Sequence, residues 1–236
     1  MDHLFFKFRH FVASILFFLF LLNSKTVFAL KVLDHAEDTV TGAFDMTGLL
    51  VLGIGGVATA VAFNQDQSMH DAWVNHQRMS SDISSVGNFW GSGIVEGGIA
   101  LGQLVFDTDR GIVHTEGLIA STLVTFGSKY GVARPRPDSG TQTSFPSGHT
   151  QIAFASATSL TKSYGWGVGS PMIAMGVLTG LSRMADDAHW FSDVVAGATI
   201  GIIFGRASFK HHVNIKPMVF APSQDGFGML AEWSLD

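Results

Sequence analysis

Three short blocks hold residue types able to handle a phosphate: Lys129 with Arg136-Pro137, then Pro146-Ser147-Gly148-His149, then Ser182-Arg183 followed by His189 and Asp193. Lys129, Arg136 and Arg183 can neutralise phosphate oxygens, and arginine adds a bidentate fork. At a helix start, Ser147-Gly148-His149 would present free backbone N–H groups and the positive end of the helix dipole. Gly148 lets the backbone approach a phosphate with no side chain in the way. Pro146 favours a sharp turn into that helix. His189 and Asp193 are i and i+4, so a helix puts them on one face. Asp193 can then accept one ring N–H and leave the other nitrogen free to attack. His149 is the candidate acid for a leaving alcohol. No other part of the sequence gathers a comparable set.

Helices must bring these blocks together. Apolar segments run over about 47–63, 91–106, 112–128, 150–163, 168–182 and 194–209, each within the usual helix length of ~8–20 residues. Gly, Ser, Thr and Ala are frequent in them, which suits close helix–helix approach. Short connections favour antiparallel neighbours. Segment 112–128 ends at Lys129, and the next begins near Ser147. The one after ends at Ser182-Arg183, and the last begins near His189. An up-down arrangement places all four ends at one pole. The expected fold is therefore all-α, a bundle of about six helices with its site at one pole. Residues 31–45 read as a solvated lead-in to a helical domain spanning 30–212. The polar stretch 64–90 reads as a long connection or one carrying a short helix. The tail, 213–236, reads as a small hairpin or a packed extension.

Of 236 residues, 47% are hydrophobic and 14% charged, against about 25% charged in a typical soluble domain. That composition points to a membrane-associated or unusually buried helical protein. A net charge of -5 argues against a nucleic-acid partner. The absence of cysteine excludes thiol chemistry and disulfides. Residues 1–29 read as a secretory signal peptide: Lys7 and Arg9, the apolar run Phe11 to Leu22, then Val27 and Ala29 at cleavage-site positions. The run is shorter than a bilayer span of ~20 residues. Cleavage is the expectation, and retention as an anchor is the alternative. Most later segments are also short for a crossing, and they contain Glu96, His114 and Glu116. The loops lack a Lys/Arg asymmetry. A cleaved signal followed by three crossings would leave Lys129 on the cytoplasmic side. The reading is an exported, periplasmic bundle with membrane contact; an integral six-span enzyme is the alternative.

The three blocks resemble the signature of the type 2 phosphatidic acid phosphatase and vanadium haloperoxidase superfamily: K-x6-RP, PSGH and SR-x5-H-x3-D. The chain reads KYGVARPRP at Lys129–Pro137, PSGH at Pro146–His149 and SRMADDAHWFSD at Ser182–Asp193. Every defining position matches, and the resemblance covers about residues 112–205. It implies a helical fold and a phosphatase that needs no metal or other cofactor. It implies a phosphohistidine at His189, oriented by Asp193, with His149 acting on the leaving group. Phosphate binding falls to Lys129, Arg136, Ser147, Gly148 and Arg183. The implied substrate is a phosphate monoester or pyrophosphate, on a lipid or a small soluble ester. A vanadate-dependent haloperoxidase and a non-enzymatic binder of anionic lipid are the alternatives. The sequence assigns no oligomeric state.

Other candidate residues have plainer readings. Family spacing selects Arg136 over Arg134, which reads as rim or structural. Asp186 and Asp187 read as a solvated loop, because no complete set of oxygen ligands accompanies them. His70, Asp71 and His76 fit no metal-ligand spacing. His114 lies roughly 22 Å from Lys129 along an ideal helix, at the far pole, and Glu116 does not share its face. His211-His212 read as a solvated helix end. Glycines in the apolar segments read as packing contacts.

Overall fold

The computed structural model describes residues 36–209 apart from 77 and 139, together with the backbone of two strands in the tail. Residues 1–29, with the expected signal, and His211-His212 lie outside the described residues. Helix α1 is Ala36–Ala43 and α2 is Met46–Phe63. Helix α3, Asp66–His70, runs on as a π-helical turn over Asp71–Asn75. Helices α4, Ser81–Trp90, and α5, Ile94–Phe106, follow with a short break between them. Then come α6, Thr108–Val132; α7, Gly148–Tyr164; α8, Trp166–Ala185; and α9, Phe191–Ala207. In the tail, β1 (Met218–Ser223) and β2 (Gly226–Glu232) pair antiparallel, so the tail carries a hairpin. The body of the chain is all-α, as expected.

Local chemistry sets the helix ends. Asp45 caps α2 by accepting from Gly48 N at 2.8 Å, and Ser80 caps α4 by accepting from Ile83 N at 3.4 Å. Gly165 ends α7 and starts α8 with φ of 74°, a reversal that a Cβ would strain. The helix at 81–90 lies inside the stretch read as a long connection or one carrying a short helix, and it answers to the second reading. Its reason is tertiary. Ser84 and Gly87 are buried against α8, and Thr179 Oγ1 donates to Gly87 O at 3.0 Å.

The main runs alternate in direction: α2, α4 with α5, α6, α7, α8 and α9. At the far pole Arg206 of α9 pairs with Asp45 before α2 at 2.8 Å. At the other, the ends of α6 and α8 meet the starts of α7 and α9. The most extensive contact is between α7 and α9. A Cβ added to Gly197, Gly201 or Gly205 would lie 2.4, 2.4 and 2.5 Å from the carbonyl oxygens of Ser147, Gln151 and Ala155. These glycines recur every fourth residue and face carbonyls that recur every fourth residue, so the two backbones lie in contact over two turns. Gly55 of α2 makes room instead for a side chain, that of Thr199 on α9.

Small and polar side chains fill the interior, including Ala153, Ala155, Ser121, Ser159 and Thr179. Glu96, His114 and Glu116 are all buried. Large apolar side chains face out, among them Leu50, Ile54, Val57, Phe106, Leu123 and Val132. The stretches Met46–Phe63 and Ser81–Phe106 are long and apolar enough to cross a membrane. An apolar exterior of this extent suits contact with lipid.

Gly201→Ala should push α9 off α7 and cost about 1–3 kcal/mol of stability. Gly53→Ala, with nothing within 4 Å of the added carbon, serves as the control. Unfolding of the two variants in the same detergent checks this; equal stability would remove the close approach as a constraint.

Candidate active site

All four helix ends reach the same pole, and backbone hydrogen bonds tie them together. Ser147 N donates to Asp193 O at 2.9 Å, joining the start of α7 to the start of α9. His189 N donates to Arg183 O at 3.2 Å, joining the turn before α9 to the end of α8. The loop before α7 is held from below by Lys129. Its ammonium donates to Pro146 O at 2.6 Å, Thr143 O at 2.7 Å and, more weakly, Ser144 O at 3.4 Å. Phe145-Pro146 is a cis peptide within this loop.

Ser147 is the N-cap of α7, and its hydroxyl accepts from Thr150 N and Thr150 Oγ1 at 3.4 and 3.0 Å. With Ser147 N committed to Asp193, the open donors of the helix start are the N–H groups of Gly148 and His149. They sit at the positive end of a 17-residue helix.

His189 is buried, with Nδ1 3.8 Å from Asp193 Oδ2 and 3.5 Å from Ser144 Oγ. The separation of 3.8 Å is too long for a hydrogen bond, and it becomes an ion pair only when the ring is protonated. Ser144 bridges the pair, since its hydroxyl also donates to Asp193 Oδ2. Trp190 N donates to that same oxygen at 3.0 Å, and Arg134 Nη1 donates to Oδ1 at 2.8 Å. With Nδ1 turned to the carboxylate, Nε2 is the nitrogen left for chemistry. Burial alone would raise the Asp193 carboxyl. The His189 ring, the Ser144 hydroxyl and the Arg134 guanidinium outweigh it and hold Asp193 below the ordinary carboxylate range.

Positive charge converges on the two histidines. Burial lowers His149 to about 4, and the charges of Arg183, His189, Arg136 and Lys129 add to the effect. Burial also lowers His189 to about 4, with Lys129 and Arg136 acting in the same direction and Asp193 opposing them. Arg183 is buried and ion-paired with Asp186. Arg136 Nε is buried with no hydrogen-bond partner among the described residues. Two neutral imidazoles, a cationic donor without an acceptor and two open backbone N–H groups form a cradle fitted to an oxyanion.

Residues 111–216 match the PAP2 superfamily, a stretch that contains every motif residue of this cradle. The matched family is the one whose signature the three sequence blocks resemble. The lipid A 1-phosphatase of Porphyromonas gingivalis is 41% identical over 86 residues, covering 34% of this chain and 19% of that protein. The lipid A 4'-phosphatase of Helicobacter pylori is 33% identical over 104 residues, covering 44% of this chain and 50% of that protein. The chain thus spans half or less of the length of these curated relatives. Among solved structures, Aquifex aeolicus LpxE superposes with a TM-score of 0.56 at 23% identity, over 62% of this chain and 95% of that one. A transmembrane PAP2 type phosphatidylglycerolphosphate phosphatase from Bacillus subtilis also gives 0.56, at 20% identity, over 76% and 98%. The fold is that of PAP2-type proteins, and the two apolar stretches fit membrane association.

The PAP2 frame accounts for the motif positions, but several neighbours depart from the readings given to them. Asp186 and Asp187 are not a merely solvated loop. Asp186 pairs with Arg183 and accepts from Ser84, while Asp187 pairs with His70 at 2.8 Å. Arg134 is structural in the strict sense that it grips Asp193. Ser144 was not singled out by any spacing, because its partners lie 45 and 49 residues away. His114 is buried on α6, with Nδ1 2.6 Å from Gln103 Oε1.

Both ring titrations should respond to an anion. In the free protein His149 and His189 protonate only as pH falls through about 4, so both are neutral at pH 7. A bound phosphate brings negative charge against the same cations and raises both midpoints. Histidine ring NMR titrated with and without inorganic phosphate checks this. Free-protein midpoints near the ordinary 6.5 would contradict the electrostatic reading.

Proposed function

We propose that this chain is a membrane-associated phosphatase that moves the phosphoryl group of a lipid phosphate monoester or pyrophosphate onto His189 and then onto water. The observation that carries this reading is the pairing of a nucleophile-ready His189, its Nδ1 side turned to Asp193, with a cationic cradle that acts on His149 as well. The superfamily match supports phosphatase chemistry, and the named activities of the two curated relatives support a phosphorylated lipid. The apolar exterior supports a substrate that arrives from a membrane.

In the first step Nε2 of His189 attacks phosphorus opposite the leaving oxygen. The P–N bond forms as the P–O bond breaks, and His149 gives its proton to the departing alcohol or phosphate. The substrate's own charge raises His149 enough for it to carry that proton, and departure of the leaving group returns it to the neutral form. In the second step neutral His149 takes a proton from water. The water oxygen attacks phosphorus, the P–N bond breaks, and inorganic phosphate leaves. Arg136, Arg183 and the N–H groups of Gly148 and His149 stabilise the charge on the transferring group in both steps, and the Lys129 ammonium, whose hydrogen bonds go to three backbone carbonyls, adds only its charge. Asp193 stabilises the positive imidazole of the phosphohistidine. The steps call for no metal ion.

His189→Ala should lower turnover of phosphatidic acid or lipid A in mixed micelles by about 10³-fold or more, and a chelator should leave the wild-type rate unchanged. His149→Ala, given p-nitrophenyl phosphate, should release a burst of about one nitrophenol per chain and then stall, because that leaving group needs no proton while hydrolysis of the phosphoenzyme still needs a base. Full activity in His189→Ala, with contaminating phosphatase excluded, would overturn the assignment.

A further inference from the structure

We infer that Asp66 and Arg134 are positioning residues for the reaction proposed above, a charged bracket that fixes Asp193 and keeps its negative charge available to His189. The inference rests on that proposed function and concerns Asp66, outside the three motif blocks, and Arg134, at a non-defining position within the first.

The bracket is closed on every side. Arg134 Nη1 donates to Asp193 Oδ1 at 2.8 Å and to Ser192 Oγ at 2.7 Å, and Nη2 donates to Asp66 Oδ2 at 2.7 Å. Asp66 Oδ1 accepts from Ser192 N at 2.8 Å, and its Oδ2 also accepts from Ser192 Oγ at 2.7 Å. Asp66 thus caps the first turn of α9 from another helix, one residue before Asp193. The Arg134 guanidinium lies 5.0 Å from the Phe63 ring centre and 5.3 Å from that of Trp190. Trp190 is held in turn, its Nε1 donating to Pro135 O at 3.0 Å. Asp66, Ser192 and Asp193 are buried, so solvent screens little of this.

Charge gives the bracket its role. Asp193 alone with Arg134 would be a neutral pair, and its carboxylate would do little for a positive imidazole. Asp66 supplies the second negative charge, so the three groups together carry one net negative charge beside His189. The other charged or titratable groups around His189 are Lys129 on α6, Arg136 before α7, His149 on α7 and Arg183 on α8; those four are basic. Asp66 therefore restores to Asp193 the charge that Arg134 would otherwise cancel, while Arg134 stops the carboxylate from turning.

Asp66→Asn tests this, because it keeps the shape and removes the charge. The expected result is a fall in kcat of about tenfold with KM unchanged, since Asp66 does not touch substrate, and a His189 NMR midpoint shifted further down. Arg134→Lys should also lower kcat, because one ammonium cannot hold both carboxylates in the same plane. Asp45→Asn, which breaks the comparable pair with Arg206 at the far pole, controls for a loss of stability alone and should leave kcat and the His189 midpoint as they were. If Asp66→Asn loses only stability, with kcat and the midpoint unmoved, the inference fails while the proposed function stands. If wild-type protein releases no phosphate from any ester but its His189 midpoint still moves in Asp66→Asn, the proposed function fails and the charge bracket alone survives.

Discussion

Gly197, Gly201 and Gly205 leave α9 without a side chain where it crosses the carbonyls of Ser147, Gln151 and Ala155. This contact decides where the chemistry sits. Backbone contact over two turns sets the height of α9 against α7 as well as its distance. The start of α9 then arrives level with the cap of α7, where Ser147 N reaches Asp193 O. His189 lies one turn earlier, beside the open N–H groups. A bulkier seam would separate the helices by a side chain, and the two motif blocks would no longer share a pocket. The same economy of bulk appears where Gly55 meets Thr199 and Gly169 meets Thr161.

A seam of this kind confers precision, and the cradle makes use of it against an electrostatic gradient. Three cationic side chains converge on a site with few acceptors of its own. Asp186 answers Arg183, and Asp193 is shared among Arg134, Ser144 and Trp190 N. Arg136 Nε is left without an acceptor among the described residues. Buried donors without partners cost stability, and proteins keep such costs where a ligand removes them. The polar interior elsewhere is mixed: Gln151 Nε2 donates to Ser121 Oγ and Thr179 to Gly87 O, while the Ser159 and Ser163 hydroxyls have no hydrogen-bond partner among the described residues.

Much of this was readable in the sequence, and the exceptions have physical causes. The apolar segments located the main helices, and their ends located the pole, because segment length and short connections leave few arrangements. Ser147 as a cap and the shared face of His189 and Asp193 followed from local rules alone. Helix α4 could be left only as one of two readings of 64–90, because its formation depends on α8, through Gly87 and Thr179, rather than on its own pattern. Ser144 and Arg134 were missed or underrated because their bonds join residues 45 to 59 positions apart, which no spacing rule records. Asp186 could have been found: it stands three residues after Arg183, a helical ion-pair spacing. Glu96, His114 and Glu116 looked like an argument against lipid. In the fold they turn inward, so they no longer oppose a lipid-facing exterior.

Lys129 illustrates how a motif position can be dictated by stereochemistry. The carbonyls of Thr143, Ser144 and Pro146 converge on a single nitrogen. An ammonium suits three acceptors arranged as a tripod, since its N–H bonds point to three corners of a tetrahedron. A guanidinium is flat and spreads its donors in one plane, so it would satisfy at most part of that tripod while crowding the loop. The first block therefore demands lysine for its shape, whereas Arg136 and Arg183 occupy places where a planar fork can face an oxyanion.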